Sequence, residues 1–151
     1  KYLFEMLILE SFQAGLSWEC ILNKRLSFKE AYDNFDIEKV INYDDKKVEE
    51  LLNNKNIIRN KLKIQASISN AKIFKNIQKE YGSFYKYLCQ FIKEKPIFEI
   101  GKTTNNLSDM ISKDLIKRGM KFVGSTTIYS YVQAIGFIYS HDKECFLFKN
   151  K

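Results

Sequence analysis

Apolar residues recur at intervals of three and four along most of this chain, and the alternating pattern that forms strands is nearly absent. One proline and six glycines interrupt the pattern. This helical periodicity predicts an all-α fold. The first predicted helix, from about Tyr2 to Gln13, is apolar nearly all round, which is typical of a helix at the centre of a domain.

Capping residues and glycines set the ends of the predicted helices. Ser17 and Asp44 are typical caps, and Gly82 is a typical stop for the longest helix. We predict helices over about 2–13, from Ser17, from Ser27, over 37–42, 45–52, 60–81, 83–92 and 108–119, and a last helix from Ser125, with 93–107 as a long surface connection.

The composition fits one compact domain. With 151 residues, of which 45% are hydrophobic, the chain is long enough to bury a core, and we expect a single helical domain over residues 1–151. Its 25 Lys and Arg residues exceed its 18 Asp and Glu residues, which gives a formal charge of +7. That excess favours a polyanionic partner such as nucleic acid, and a solvated lysine-rich surface explains the charge equally well.

The cysteines and the apolar runs bear on the cellular compartment. Cys20, Cys89 and Cys145 are few and far apart, which does not suggest a secreted disulfide framework. No apolar run approaches the length of a membrane span, and the first residues lack the features of a signal peptide. We therefore expect a cytoplasmic protein that does not contact membranes, and we expect a monomer.

One carboxylate stands out in the first predicted helix. Glu10 follows Leu3, Met6 and Leu7 at helical spacing, so it lies on the face that should be buried. A buried carboxylate costs free energy unless a partner or a ligand compensates it. Two interpretations are open: a structural acid that pairs with a buried arginine or caps a helix, which is the commoner case, and a functional group.

The segment 115–127 reads as a helix, a tight turn and a second helix. Gly124 allows a close turn, and free backbone amides at the start of the second helix can hold a phosphate. Three basic residues add positive charge nearby: Lys117, Arg118 and Lys121. An ordinary helix connection with exposed lysines is the alternative.

A second turn, over residues 53–61, is assigned a packing role. Ile57 and Ile58 are expected in the core, and the basic residues that follow fit a solvated face: Arg59, Lys61 and Lys63. Near the other end of the chain, His141 and Cys145 have the spacing of two zinc ligands, whereas tetrahedral structural zinc needs four.

Three stretches carry a family resemblance. They are Leu9-Glu10-x-x-Gln13-Ala14-Gly15-Leu16-Ser17-Trp18, Ile57-Ile58-Arg59-x-Lys61-x-Lys63-Ile64-Gln65, and Gly119-x-Lys121-Phe122-Val123-Gly124-x-Thr126-x-x-Tyr129-Ser130-x-x-Gln133-Ala134-x-Gly136. In this order and approximate spacing they resemble bacterial 3-methyladenine DNA glycosylase I, and together they span nearly the whole chain.

The resemblance implies an all-α, helix-hairpin-helix DNA glycosylase fold and an enzyme of base-excision repair. Such an enzyme hydrolyses the N-glycosidic bond of 3-methyladenine in double-stranded alkylated DNA, after the damaged nucleotide has left the helix. No lysine is placed convincingly as a Schiff-base nucleophile, so we expect a monofunctional enzyme. One alternative is a catalytically impaired helix-hairpin-helix module that only binds DNA, and another is a helical interaction domain with an incidental basic face.

The resemblance also assigns roles to residues. Glu10 becomes the catalytic residue and accepts hydrogen bonds from the cationic base, on which Trp18 stacks. Leu16, after Gly15, becomes an apolar wedge in the gap left by the flipped base, with Gln13 near the opposite strand. Without the resemblance, Trp18 is more often a core residue, and a buried Leu16 closing the helix junction is equally reasonable. The expected phosphate-binding residues are those of the turn: Lys121, Val123, Gly124, Ser125 and Thr126.

The resemblance bears on zinc as well. The family completes its structural zinc site with a Cys and a His from an N-terminal segment that would precede Lys1, and we expect this segment to be absent. His141 and Cys145 are then half a site, no catalytic metal is expected, and the base pocket should be open on one side. Two departures from the family pattern are Asn56, where glycine is usual, and Tyr139-Ser140 before His141, where Asn-Asp is common.

Overall fold

The computed structural model describes residues 1–93 and 96–140. Within these ranges the chain is mostly helical, with one 3-10 turn at Asp33–Phe35 and one pair of short strands. The elements are α1 (Tyr2–Gln13), α2 (Trp18–Ala31), α3 (Ile37–Val40), α4 (Asp45–Asn53), α5 (Lys61–Tyr81), α6 (Phe84–Cys89), β1 (Ile97–Phe98), α7 (Asn106–Lys117), α8 (Ser125–Ala134) and β2 (Ile138–Tyr139). The predicted all-α class is confirmed. Among the described residues, no helix combines the length and apolar character needed to cross a membrane.

The two helices with the clearest periodicity have nearly the predicted ends. α1 spans Tyr2–Gln13. α5 begins at Lys61 because the Asn60 side chain caps it, accepting a hydrogen bond of 3.1 Å from the Lys63 amide. It ends at Tyr81 because Gly82 adopts a φ of +86°, a left-handed conformation that glycine adopts without steric penalty.

Two predicted helix starts are wrong. Ser27 does not begin a helix, because α2 continues through it to Ala31 and the residues before it keep their helical hydrogen bonds. α7 begins at Asn106 rather than at Ser108, because the Asn105 side chain accepts a hydrogen bond of 2.8 Å from the Ser108 amide. Ser108 completes this capping box by accepting a hydrogen bond of 2.9 Å from the Asn105 amide.

The predicted surface connection contains a strand. β1 pairs in parallel with β2, with Ile97 opposite Ile138, and this pair is the only sheet among the described residues. A strand of two residues is too short to produce a periodic signal in the sequence.

α1 lies at the centre of the core. Every residue from Phe4 to Phe12 is buried, as the apolar pattern of this helix predicts. The Phe4 ring contacts the Phe74 ring of α5 at a centroid distance of 5.3 Å, whereas the carbonyl of Phe12 accepts a hydrogen bond of 2.9 Å from Lys63 at the start of α5. The two helices are therefore antiparallel, and the C-terminal end of α1 lies beside the N-terminal end of α5.

Side chains from α5 and α7 hold the turn between α7 and α8. Asn70, which is fully buried, donates a hydrogen bond of 2.8 Å to the Lys121 carbonyl and accepts one of 3.0 Å from the Lys121 amide. Ser112 donates a hydrogen bond of 2.7 Å to the Val123 carbonyl. Between these two points Phe122 has a φ of +57°, which a residue other than glycine adopts only at a cost of about 1 kcal/mol or more. The flanking hydrogen bonds stabilise this turn.

Replacing Asn70 should weaken the fold through this turn. Asn70→Ala removes both partners of the Lys121 backbone, and we expect the free energy of unfolding to fall by about 2 to 3 kcal/mol in urea denaturation. Asn76→Ala is the matched control, because Asn76 is an exposed asparagine of the same helix. Equal stability of the two variants would contradict the role given to Asn70.

Candidate functional site

An open pocket of about 530 Å³ lies between α1, the start of α2 and α8. It brings together Glu10, Trp18 and Gln13, all of which the sequence singled out as candidate site residues. The lining residues are Met6, Glu10, Gln13, Trp18, Ser130, Gln133 and Ala134. The last three were not predicted as site residues, although their spacing of three and four already placed them on one face of a helix.

Glu10 is buried in this pocket and has no partner among the residues that the structure describes. Glu10 is 2% exposed, and no described residue forms a hydrogen bond or an ion pair with its carboxylate. Burial raises its pKa from the ordinary value to about 7. The interpretation of Glu10 as the partner of a buried arginine is therefore not supported. Glu5, on the same helix, does pair with an arginine, although a partly exposed one, with Oε1 2.8 Å from Nε of Arg25.

Trp18 forms part of the pocket wall at the first turn of α2. Its side chain is half-buried. It packs against the hydrophobic core and also lines the pocket. Ser17 fixes the start of this helix, because its hydroxyl oxygen accepts a hydrogen bond of 3.2 Å from the Cys20 amide. The local cap thus holds the indole beside Glu10.

The α1–α2 loop, residues 14–17, projects from the domain. Gly15 has a φ of +80°, which reverses the chain after α1. The Leu16 amide donates a hydrogen bond of 2.7 Å to the Gln13 carbonyl, and Gln13 Nε2 donates one of 2.7 Å to the Leu16 carbonyl. Leu16 is 37% exposed, so it is not the buried leucine that would close the helix junction. The loop is a compact turn with an exposed apolar tip.

Lys63 anchors this loop, and its assignment to a solvated face was wrong. It is only 9% exposed, and Nζ donates hydrogen bonds of 2.9 Å to the Phe12 carbonyl and 2.6 Å to the Ala14 carbonyl. The last carbonyls of a helix lack internal donors and carry partial negative charge, so an ammonium group is favourable there. Burial lowers the pKa of Lys63. Arg59 and Lys61, by contrast, are exposed as predicted.

The turn before α8 presents unused backbone donors. No acceptor among the described residues pairs with the amides of Gly124, Ser125 and Thr126. Lys121 and Thr126 are exposed beside them, as a phosphate site requires. Val123 is 1% exposed, so only its backbone is available to a ligand.

Two side chains near this turn already have partners within the protein, and one of them, Arg118, was expected to add positive charge. The Ser125 hydroxyl is not free, because it donates a hydrogen bond to the Asp109 carboxylate and lies 2.9 Å from the Ser108 hydroxyl. Arg118 does not add free charge to the turn, because its guanidinium pairs with Glu80 at 2.7 Å and with Asp114 at 2.8 Å. The positive charge of the turn therefore comes from its lysines and from the start of α8.

The zinc prediction falls on His141 and Cys145, which lie outside the described residues. In residues 1–93 and 96–140, no three His, Cys, Asp or Glu side chains gather as a metal site would need. Two ligands alone do not fit a tetrahedral zinc site of four.

Known proteins resemble this chain along almost its whole length. The family model described as methyladenine glycosylase matches residues 1–148. The DNA-3-methyladenine glycosylase 1 of Escherichia coli is 39% identical, in an alignment that covers 96% of this chain and 81% of that protein. The DNA-3-methyladenine glycosylase of Haemophilus influenzae is 34% identical, with 95% and 80% covered.

Solved structures show the same similarity in three dimensions. A crystal structure of 3-methyladenine DNA glycosylase I superposes with a TM-score of 0.92 at 38% identity, covering 97% of this chain and 84% of that one. A substituted form of the enzyme in complex with 3-methyladenine superposes with a TM-score of 0.90 at 34% identity, with 96% and 81% covered. The helical fold and the sequence match agree, and this chain belongs to the methyladenine glycosylase family. The resemblance stated from the sequence is confirmed.

The raised pKa of Glu10 predicts a pH-dependent stability. A carboxylic acid with a pKa of about 7 when folded and an ordinary value when unfolded favours the folded state at low pH. We expect this contribution, about 3 kcal/mol, to be lost as the pH rises from about 4.5 to about 7. Urea denaturation at pH 5 and pH 8 should show a larger loss for the wild type than for Glu10→Gln. If the free energy of unfolding depends on pH identically in the two proteins, the pKa of Glu10 is not raised.

Replacing Lys63 should loosen the α1–α2 loop. Lys63→Met keeps most of the side-chain volume and leaves the Phe12 and Ala14 carbonyls without their donor. We expect the free energy of unfolding to fall by about 1 to 3 kcal/mol and limited proteolysis to cut the loop faster. Lys61→Met is the control, since Lys61 is exposed, and it should change stability by less than about 0.5 kcal/mol. If both variants behave alike, Lys63 does not anchor the loop.

Proposed function

We propose that this protein is a base-excision repair enzyme that hydrolyses the N-glycosidic bond of 3-methyladenine in alkylated DNA. One observation carries the proposal: Glu10, a buried carboxylate that no described residue pairs with, faces a pocket shared with Trp18. A buried carboxylate is costly without a compensating charge, and a cationic ligand supplies one. The relatives named above are DNA-3-methyladenine glycosylases.

The pocket suits a flipped, positively charged purine. In DNA, 3-methyladenine carries a positive charge that normal adenine lacks, so a carboxylate and an aromatic face together favour the damaged base. In our proposal Glu10 accepts hydrogen bonds from the base, and the Trp18 indole stacks on it. A cation in the pocket favours the ionised form of Glu10, whose pKa of about 7 lies near neutrality. Binding therefore converts an unfavourable buried group into half of an ion pair.

The reaction needs electrostatic stabilisation more than a strong acid. When the N-glycosidic bond breaks, its electron pair stays with the base and neutralises the base's charge, and C1′ of the sugar becomes an oxocarbenium-like centre. Water then adds to C1′ and releases a proton to solvent. The negative charge of Glu10 near the sugar stabilises the developing cation. No lysine lies among the described residues that line the pocket, which favours hydrolysis over a Schiff-base route.

The surrounding loops would open and hold the duplex. We propose that Leu16 enters the space left by the flipped nucleotide, with Gly15 allowing the approach and Gln13 near the opposite strand. α7, its turn and α8 would act as a helix-hairpin-helix that binds a phosphate of double-stranded DNA through the amides after Val123. A zinc ion held by His141 and Cys145 would have a structural role and would need two further ligands. We propose that the enzyme acts as a monomer in the bacterial cytoplasm.

Release of 3-methyladenine from methylated DNA tests the proposal directly. We expect the wild type to release the base, and Glu10→Gln to lower the single-turnover rate by about 100-fold because it removes the negative charge and keeps the shape. Glu19→Gln, at an exposed position in the first turn of α2, should retain the wild-type rate. Chromatography of the released base measures both.

The same experiment separates the enzyme from a module that only binds DNA. Folded wild-type protein that binds duplex DNA in a salt-dependent way and releases no base would overturn the enzymatic proposal in favour of that module. An equal loss of activity in Glu10→Gln and Glu19→Gln would show that Glu10 is not a catalytic residue.

A further inference from the structure

The excess positive charge of the chain is concentrated in one segment. Residues 51–79 contain seven Lys and Arg residues and no Asp or Glu. The rest of the chain holds 18 basic and 18 acidic residues, so this segment accounts for the entire formal charge of +7. The segment comprises the turn that was assigned a packing role and most of α5.

The structure places the first turn of α5, which belongs to this segment, beside the α1–α2 loop. Lys63 lies in the first turn of α5, and its Nζ reaches the carbonyl of Ala14 in the α1–α2 loop at 2.6 Å. The same Nζ lies 6.0 Å from the centroid of the Phe122 ring, in the turn before α8. The first turn of α5 therefore lies between the two elements that the proposed function uses to open and to hold DNA.

An open groove connects α5 with the turn before α8. It has a volume of about 380 Å³ and is lined by Leu62, Gln65, Ala66, Ser69, Lys121 and Phe122. Leu62 is 69% exposed although it is apolar. Lys121 is one of the lining residues, and the exposed Lys61 comes directly before the lining residue Leu62 in the sequence.

The cations at this end of α5 are not neutralised within the described part of the protein. Lys55, Arg59 and Lys61 are exposed, and none has an ion-pair partner among the described residues. Farther along the same helix, Lys75 pairs with Glu38. Three of the five exposed cations of residues 51–79 that are unpaired within the described residues therefore lie at or just before the start of α5, which adjoins the α1–α2 loop, and the other two are Lys72 and Lys79.

We propose that the surface formed by Lys55, Arg59 and Lys61 is a second contact with the DNA backbone, in addition to the turn before α8 that carries Lys121. The inference rests on the proposed function, since it takes duplex DNA as the partner. Exposed cations at fixed positions bind phosphates independently of sequence and release counterions from the duplex. Two backbone contacts, one at the start of α5 and one at the turn before α8, would hold the strand while the α1–α2 loop separates the bases.

The salt dependence of DNA binding tests this surface. For Arg59→Gln/Lys61→Gln, we expect the slope of log K against log salt to become shallower by about 1.8, because each lost phosphate contact removes about 0.9. Between 50 and 200 mM salt the affinity of this variant should change about twelvefold less than that of the wild type. Fluorescence anisotropy with an undamaged duplex of defined length measures the slope.

A charge-matched variant provides the control. Lys79→Gln/Lys86→Gln removes two exposed lysines that have no ion-pair partner among the described residues. Lys79 lies about 27 Å along the helix axis from Lys61, at about 1.5 Å per residue. The salt slope of Lys79→Gln/Lys86→Gln should match that of the wild type. Thermal unfolding of the wild type and of both double variants verifies that all three proteins are folded.

The outcomes separate this inference from the proposed function. If the two double variants have equal slopes while the wild type releases 3-methyladenine, the second contact is wrong and the enzymatic proposal stands. If the wild type neither releases the base nor binds the duplex, the proposed function itself fails. A shallower slope only in Arg59→Gln/Lys61→Gln supports the second contact.

Discussion

The burial of α1 on every side is the constraint on which the rest of the structure depends. A helix with no solvent-facing side must find partners inside the protein for its polar side chains and for its last carbonyls. Glu5 pairs with Arg25, and Ser11 donates a hydrogen bond of 2.8 Å to the Leu7 carbonyl within the helix. Lys63 supplies the donor for the C-terminal end. Glu10 alone among these groups receives nothing from the described residues.

That exception links stability to function. An unpaired buried carboxylate destabilises the free protein once it ionises, and burial raises its pKa to about 7. The protein keeps this unfavourable group where a pocket opens beside Trp18. Under the proposed function a cationic base supplies the missing partner, so the free energy that the fold loses contributes to discrimination between damaged and normal bases.

α5 organises the elements around the pocket through a buried polar stripe. Lys63, Ser67 and Asn70 follow each other at helical spacing and are all buried. Lys63 contacts the α1–α2 loop, Ser67 lies 3.0 Å from the Tyr32 hydroxyl, and Asn70 bonds to both backbone groups of Lys121. One helix therefore fixes the positions of both loops that the proposed function assigns to DNA. Its exposed basic start extends the same surface.

The sequence by itself determined the helical class, the ends of α1 and α5, and the pairing of Glu10 with Trp18 as candidates. These features depend on local patterns: apolar spacing, a glycine stop and a short motif. The exposed position of Leu16 and the free amides after Val123 agree with the predicted geometry, and their roles toward DNA stay predictions.

Only the tertiary structure decided which polar residues are buried and which partners they find. The acceptors of Lys63 lie 51 and 49 residues away along the chain, and Arg118 reaches Glu80 across 38 residues. Where several lysines are close together in the sequence, no local pattern distinguishes a solvated lysine from one that anchors a loop. Ser27 has the spacing of a cap, yet α2 continues through it. Periodicity reports which face of a segment is apolar, whereas burial of a charged group depends on contacts that the whole fold brings together.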